Sequence, residues 1–236
     1  LEVLKPLLIG ESAVEPERVS EKLHQNTFWL GRGGSITHTI SGIDIALWDI
    51  AGKAAGKPLH ALLGGAARDN IRAYASLLRY GNPEDVARNT AEAVRRGYRD
   101  IKLHEIDLSC IRAARAATST DIPLMLDINC AWDDEADAVD FCEAVENLGV
   151  AWVEEPTWPP EDHAAMARVR AASSCAIAAG ENAASPEDFC RMIESGAAGI
   201  LQPSVTKVGG LTAMLEVAEL AQGAGLRLVP HCPYFG

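Results

Sequence analysis

Residues 98–108, YRDIKLHEIDL, read as a short buried strand that nevertheless carries Lys102 and His104 two positions apart. Side chains alternate across a strand, so both residues, with Ile106, share one face. A cation and an imidazole side by side, where packing favours valine, raise two questions: what kind of sheet holds this strand, and what faces that pair.

Similar apolar runs recur along the chain: IRAYAS (71–76), DIKLHE (100–105), PLMLDIN (123–129), AWVEEP (151–156), AIAAGE (176–181), GILQPS (199–204) and RLVPHC (227–232). Their starts are about 23 to 29 residues apart, the spacing of strand–loop–helix–loop units. The intervening stretches carry helix-end signals. Asn82 precedes Pro83 as an N-cap, Asp85 sits in the first turn and Gly97 closes the helix. Ser185-Pro186-Glu187-Asp188 repeats the device, with Gly196 at the far end. Before the series begins, Ile36, Ile40, Ile43, Leu47, Ile50 and Ala54 step by four and three, which predicts an amphipathic helix ended by Gly56 and Pro58. The rhythm changes near Gly64-Gly65, so a helical segment over 1–66 and a βα series over 67–236 are expected.

Apolar strands alternating with helices imply a parallel sheet covered on both faces, either doubly wound and open or closed as a barrel. The placement of the ionisable residues separates the two. Lys102/His104, Asp127, Glu154/Glu155, Glu181 and His231 fall at or just beyond the C-terminal ends of five of the seven strands. An open sheet concentrates function at one switch point, whereas a (β/α)8 barrel converges many strand ends on one mouth. No G-x-G-x-x-G loop supports the open sheet. The fold expected is an α/β TIM-type barrel with seven of its eight strands in this sequence.

Composition narrows the class of function. The net charge of −12 argues against nucleic acid, and no run approaches the roughly 18 apolar residues of a membrane span. The N-terminal residues are acidic where a signal peptide needs a basic lead. Six scattered cysteines without a C-x-x-C read as reduced thiols, and a cytoplasmic protein is expected.

Asp127, Glu154 and Glu181 end the third, fourth and fifth strands, neighbours in a barrel. Three carboxylates at one mouth repel unless a cation lies between them. Ligation by oxygen alone selects a hard ion, most simply Mg2+, with about three positions left for water or substrate.

The motifs IKLHE, MLDIN, WVEEP, AGEN, QPSVTKVGG and VPHCP, in this order, resemble the mandelate racemase / muconate lactonizing enzyme branch of the enolase superfamily. The opening GRGGSITHTISGIDIALWDIAGKAAGKPLHALLGG (31–65) resembles the helical part of that family's α+β capping domain. The resemblance implies a Mg2+ enzyme that abstracts the proton α to a carboxylate through an enediolate. It matches Asp127, Glu154 and Glu181 to the metal ligands. Lys102 matches a residue facing the substrate carboxylate, His104 takes the place of the usual lysine base, and His231 is the acid or base on the opposite face. Asn129 matches a substrate contact, and Glu155, Asn182 and Lys207 match residues that support the ligands. Beside two cations, His104 is expected to be neutral at pH 7.

Ser204 stands where the family pattern has an aspartate that orients the histidine corresponding to His231. A serine hydroxyl can hydrogen-bond to His231 but cannot hold an imidazolium by charge, which weakens a two-base racemase. Dehydration of a hydroxy acid or acid sugar is therefore the leading expectation, making the chain a lyase. A racemase or epimerase (an isomerase) using His104 and His231 is the alternative, and a catalytically inactive metal-binding relative is a third reading. A small carboxylate substrate and a homo-oligomer are expected. Because natural barrels close, the chain is expected to be part of a longer molecule. Trp29, Trp48 and Trp152 are expected to pack inside, with Trp132 and Trp158 near the mouth, and Gly209-Gly210 opens a helix whose N-terminus could hold an anion.

Overall fold

The computed structural model describes residues 2–65 and 68–232. The expected domain boundary at 66/67 and the last four residues lie outside them. Four helices come first: α1 Lys5–Leu8, α2 Pro16–Gln25, α3 Gly34–Ala55 and α4 Leu59–Leu62. The βα series follows: β1 Ala75–Ser76, α5 Pro83–Arg95, β2 Ile101–Leu103, α6 Leu108–Ala116, β3 Leu124–Asp127, α7 Glu135–Val145, β4 Val150–Glu154, α8 His163–Ala172, β5 Ile177–Ala179, α9 Pro186–Ser195, β6 Ile200–Leu201, α10 Gly210–Gly223 and β7 Arg227–Leu228. All seven expected strands are present, each shorter than its apolar run.

The sheet runs β1-β2-β3-β4-β5-β6-β7, strictly in sequence order. A doubly wound sheet reverses its order at the switch point; an order that never reverses is that of a TIM-type barrel. The pairings whose register is defined, β1 through β5, are parallel.

The described residues divide into two compact units. One comprises 71–179 and 192–200. Its strands are buried almost residue by residue: Ile101, Leu103, Leu124, Leu126, Val153, Ile177 and Ala178 are at most 1% exposed. A parallel sheet covered by helices demands this pattern. The helices start where side chains can accept the orphan N–H groups of a first turn. Asn82 Oδ1 accepts from the Asp85 N–H at 2.8 Å. Asp107, Asp134 and Asp162 accept likewise from Ser109, Ala136 and Ala165.

The other unit comprises 1–70, 180–191 and 201–236. Leu4, Val19, Leu23, Ile40 and Leu47 form its buried cluster, with 19/23 and 40/47 at helical spacing on α2 and α3. Helix α3 ends at Gly56 in the left-handed conformation, as its sequence requires. The N-terminus of α10 is capped in trans by α3. Buried Asp44 accepts from the Thr212 N–H (3.0 Å) and hydroxyl (2.5 Å), and Ser41 Oγ accepts from the Gly209 N–H at 3.0 Å. The expected anion site at Gly209-Gly210 is thus filled by the protein's own carboxylate. Burial pushes the Asp44 pKa up even though the Thr212 bonds oppose the shift.

Gly210 is held by this contact. Its φ is 91°, and a Cβ there would lie 2.3 Å from Asp44 Oδ2. Gly210→Ala should lower stability by about 3 kcal/mol or more through strain and loss of the cap. Urea unfolding measures it, and an unchanged midpoint would refute the close approach.

Trp29 departs from expectation. It is 64% exposed, packed edge-on against an equally exposed Phe28. Trp48 and Trp152 are buried as expected.

Candidate metal centre

The parallel register of β3 and β4 pairs Asp127 with Glu154, so the two acids stand side by side at the strand ends. Glu181 lies two residues past the end of β5. All three are carboxylates at or just beyond strand ends, Asp127 and Glu154 in one unit and Glu181 in the other. Asp127 and Glu154 are buried, at 2% and 0% exposure.

Lys102, itself 3% exposed, supplies the charge that makes this burial tolerable. Its Nζ lies 2.7 Å from Asp127 Oδ2 and 3.0 Å from Glu154 Oε1, and 5.9 Å from the Tyr74 ring centroid. Burial alone would lower the Lys102 pKa, but the charges of Glu154 and Asp127 outweigh it and drive the value well up. For Asp127 burial pulls upward, and the His104 and Lys102 partners override it, leaving the carboxyl far below the usual range.

His104 follows the end of β2, with Nε2 3.2 Å from the same Asp127 Oδ2 that Lys102 meets, so the pair does share a face. Its Nδ1 lies 2.5 Å from the Leu77 carbonyl oxygen. A carbonyl only accepts, so Nδ1 carries a proton; Nε2 faces a carboxylate that also only accepts, and a proton there is shared with Asp127. The hydrogen bond to Asp127 raises the His104 pKa, against burial and the Lys102 charge.

In the other unit, His231 Nε2 lies 3.0 Å from Glu181 Oε2, and Lys207 Nζ lies 3.7 Å from Glu181 Oε1. The side-chain bond that Ser204 could make to His231 is not formed among the described residues. Ser204 Oγ pairs with Thr206 Oγ1 at 3.1 Å, while His231 Nδ1 is buried without a partner among the described residues. The two residues meet only through their backbones.

Asn129, expected to contact substrate, donates to Asp127 Oδ1 from its side chain (2.9 Å) and its backbone N–H (3.2 Å). It orients a candidate ligand. Asn129, Cys130 and Glu155 adopt φ of 50°, 55° and 45°, a conformation costly for cysteine and glutamate that clusters where side chains must be aimed. Glu155 is buried and accepts from Cys130 Sγ at 3.4 Å; Asn182 is exposed. Sequence reading missed Trp152 as a site residue. Its indole N–H donates to Glu154 Oε2 at 3.2 Å. The signal was available, since residues 152 and 154 share one strand face.

The donor set fits a hard divalent ion. It contains three carboxylates and neither thiolate nor imidazole, the donor chemistry a hard ion such as Mg2+ prefers.

The family model of the enolase C-terminal domain-like type matches residues 85–236, and that of the mandelate racemase / muconate lactonizing enzyme N-terminal domain matches residues 1–64. The chain belongs to the mandelate racemase / muconate lactonizing enzyme family. Among relatives, D-galactarolactone cycloisomerase of Agrobacterium fabrum is 35% identical over 233 residues, covering 95% of this chain and 61% of the relative. The 3,6-anhydro-D-galactonate cycloisomerase structure from Zobellia galactanivorans superposes with a TM-score of 0.92 at 31% identity, over 98% of this chain and 66% of that one. L-talarate dehydratase from Polaromonas, solved with Mg and L-glucarate, gives 0.87 at 32% identity, over 97% and 66%. The chain spans about three fifths of the length of the curated relatives it matches. No helix among the described residues is long and apolar enough to cross a membrane.

Proposed function

We propose that this chain forms the catalytic body of a Mg2+-dependent lyase that removes the proton α to the carboxylate of an acid sugar and then expels a β-hydroxyl as water. The observation that carries the reading is the buried pair Asp127 and Glu154, side by side at their strand ends, with Lys102 and His104 converging on one oxygen of Asp127. Relatives named as acid-sugar dehydratases, and a neighbour holding Mg and L-glucarate, support this substrate class.

Asp127, Glu154 and Glu181 would hold the ion, with Asn129 and Trp152 orienting the first two. A bound divalent cation would supply positive charge to the substrate carboxylate and so acidify the α C–H bond. His104 Nε2 takes the α-proton, because Nδ1 is committed to Leu77. Lys102 offsets the negative charge that develops on the substrate carboxylate. His231, whose Nε2 faces Glu181, gives a proton to the departing β-hydroxyl, so that the C–O bond breaks to release water. Lys207 holds Glu181 in place.

Residues 1–66 are read as the remainder of the capping domain and 67–236 as the barrel. None of the six cysteines is in a disulfide, which suits a cytoplasmic setting, and the family resemblance favours a homo-oligomer. Among the described residues His231 Nδ1 has no side-chain partner, which supports dehydration ahead of racemisation in this reading.

Incubation of acid sugars with Mg2+ in D2O tests the assignment. His104→Ala should lose α-deuterium uptake and dehydration together, by roughly 10²-fold or more, whereas His231→Ala should keep uptake and lose dehydration. Uptake surviving undiminished in His104→Ala would overturn the base assignment.

A further inference from the structure

Glu105 is 2% exposed, next to His104, and no cation is needed to explain its burial. Its Oε1 accepts from two successive backbone N–H groups, Tyr80 at 2.6 Å and Gly81 at 3.3 Å. Both donors can aim at one oxygen because the loop turns through Gly81 at φ 72°, in the left-handed region that disfavours a side chain. Adjacent residues on an extended chain point to opposite sides, so Glu105 supports this loop from the side away from the His104 ring.

The loop in turn holds β2 and His104 at three points. The Leu77 N–H donates to the Lys102 carbonyl at 2.8 Å, the Leu77 carbonyl accepts from His104 Nδ1, and Arg79 Nε donates to the His104 carbonyl. We infer that the loop 77–81, anchored by the buried carboxylate of Glu105, is a clamp that fixes the ring orientation of His104 and keeps a proton on its Nδ1, making Glu105 a positioning residue for the proton acceptor. This inference rests on reading His104 as the base. The clamp acts through His104: it keeps the Leu77 carbonyl where the Nδ1–H meets it, which fixes the plane of the ring.

The test uses the full chain labelled with 15N, together with α-proton exchange of an acid sugar in the presence of Mg2+. In Glu105→Ala the slowly exchanging Nδ1–H signal of His104 should disappear. The turnover rate should fall about tenfold or more with KM within about threefold, because the base is misaligned while binding is kept. Glu105→Gln should retain both, since its amide oxygen still accepts from Tyr80 and Gly81. Persistence of the Nδ1–H signal in Glu105→Ala would overturn the clamp. If that variant fails to fold, hydrogen exchange of the wild-type protein decides: the Tyr80 and Gly81 amides should be protected about 100-fold or more, and exchange at free-loop rates would overturn the proposal. Should the wild-type protein exchange no α-proton from any acid sugar, the functional reading fails, while the ring signal and its dependence on residue 105 still decide the clamp.

Discussion

Glu154→Gln is expected to abolish Mg2+-dependent stabilisation and to reduce α-proton exchange by about 10³-fold or more. Glutamine keeps the size of the side chain and an oxygen for the Trp152 indole N–H, but removes the buried charge that stands beside Asp127. The readout independent of chemistry is thermal unfolding. A ligand that binds only the folded state adds about 2.7 kcal/mol at 100 times its Kd, so the wild-type Tm should climb with Mg2+ and the variant's should stay flat. An equal rise in both proteins would show that Glu154 holds no ion, and the proposed chemistry would lose its foundation.

Lys102→Met should have the largest effect on stability. In metal-free protein it leaves Asp127 and Glu154 buried without the cation 2.7 and 3.0 Å away, and breaking such a buried pair costs about 3 to 5 kcal/mol. Added Mg2+ should recover much of the loss, because a divalent ion compensates the same two carboxylates. The Mg2+-induced gain should therefore exceed that of the wild type. The pH dependence has a definite sign. The Asp127 pKa is depressed in the folded state, so its stabilisation is present above the unfolded carboxylate value of about 3.9 and is lost as pH falls below it. Urea titrations at pH 7, with and without Mg2+, check the substitution. A metal-free variant as stable as the wild type would contradict the ion-pair geometry.

The strands were legible because parallel sheets demand compact apolar runs, and the seven runs keep a steady spacing between helix signals. The acids were legible because Asp127 and Glu154 are the last residues of their strands and Glu181 lies just beyond, positions with no packing role. The supports around them were harder to read. The bond from Trp152 to Glu154 was visible in principle as a two-residue offset on one strand, yet a tryptophan in an apolar run is first taken as packing. Glu105 was invisible in its role because its donors are backbone N–H groups, which every residue but proline carries. Trp29 was misjudged because aromatic identity was taken as a guide to burial.

The bond between Asp44 on α3 and Thr212 on α10 spans 168 residues of sequence. At ribosomal speeds of about 5 to 20 residues per second, the acid on α3 waits roughly 10 to 30 s for its donors to emerge. Assembly of this half of the molecule therefore waits for the synthesis of α10.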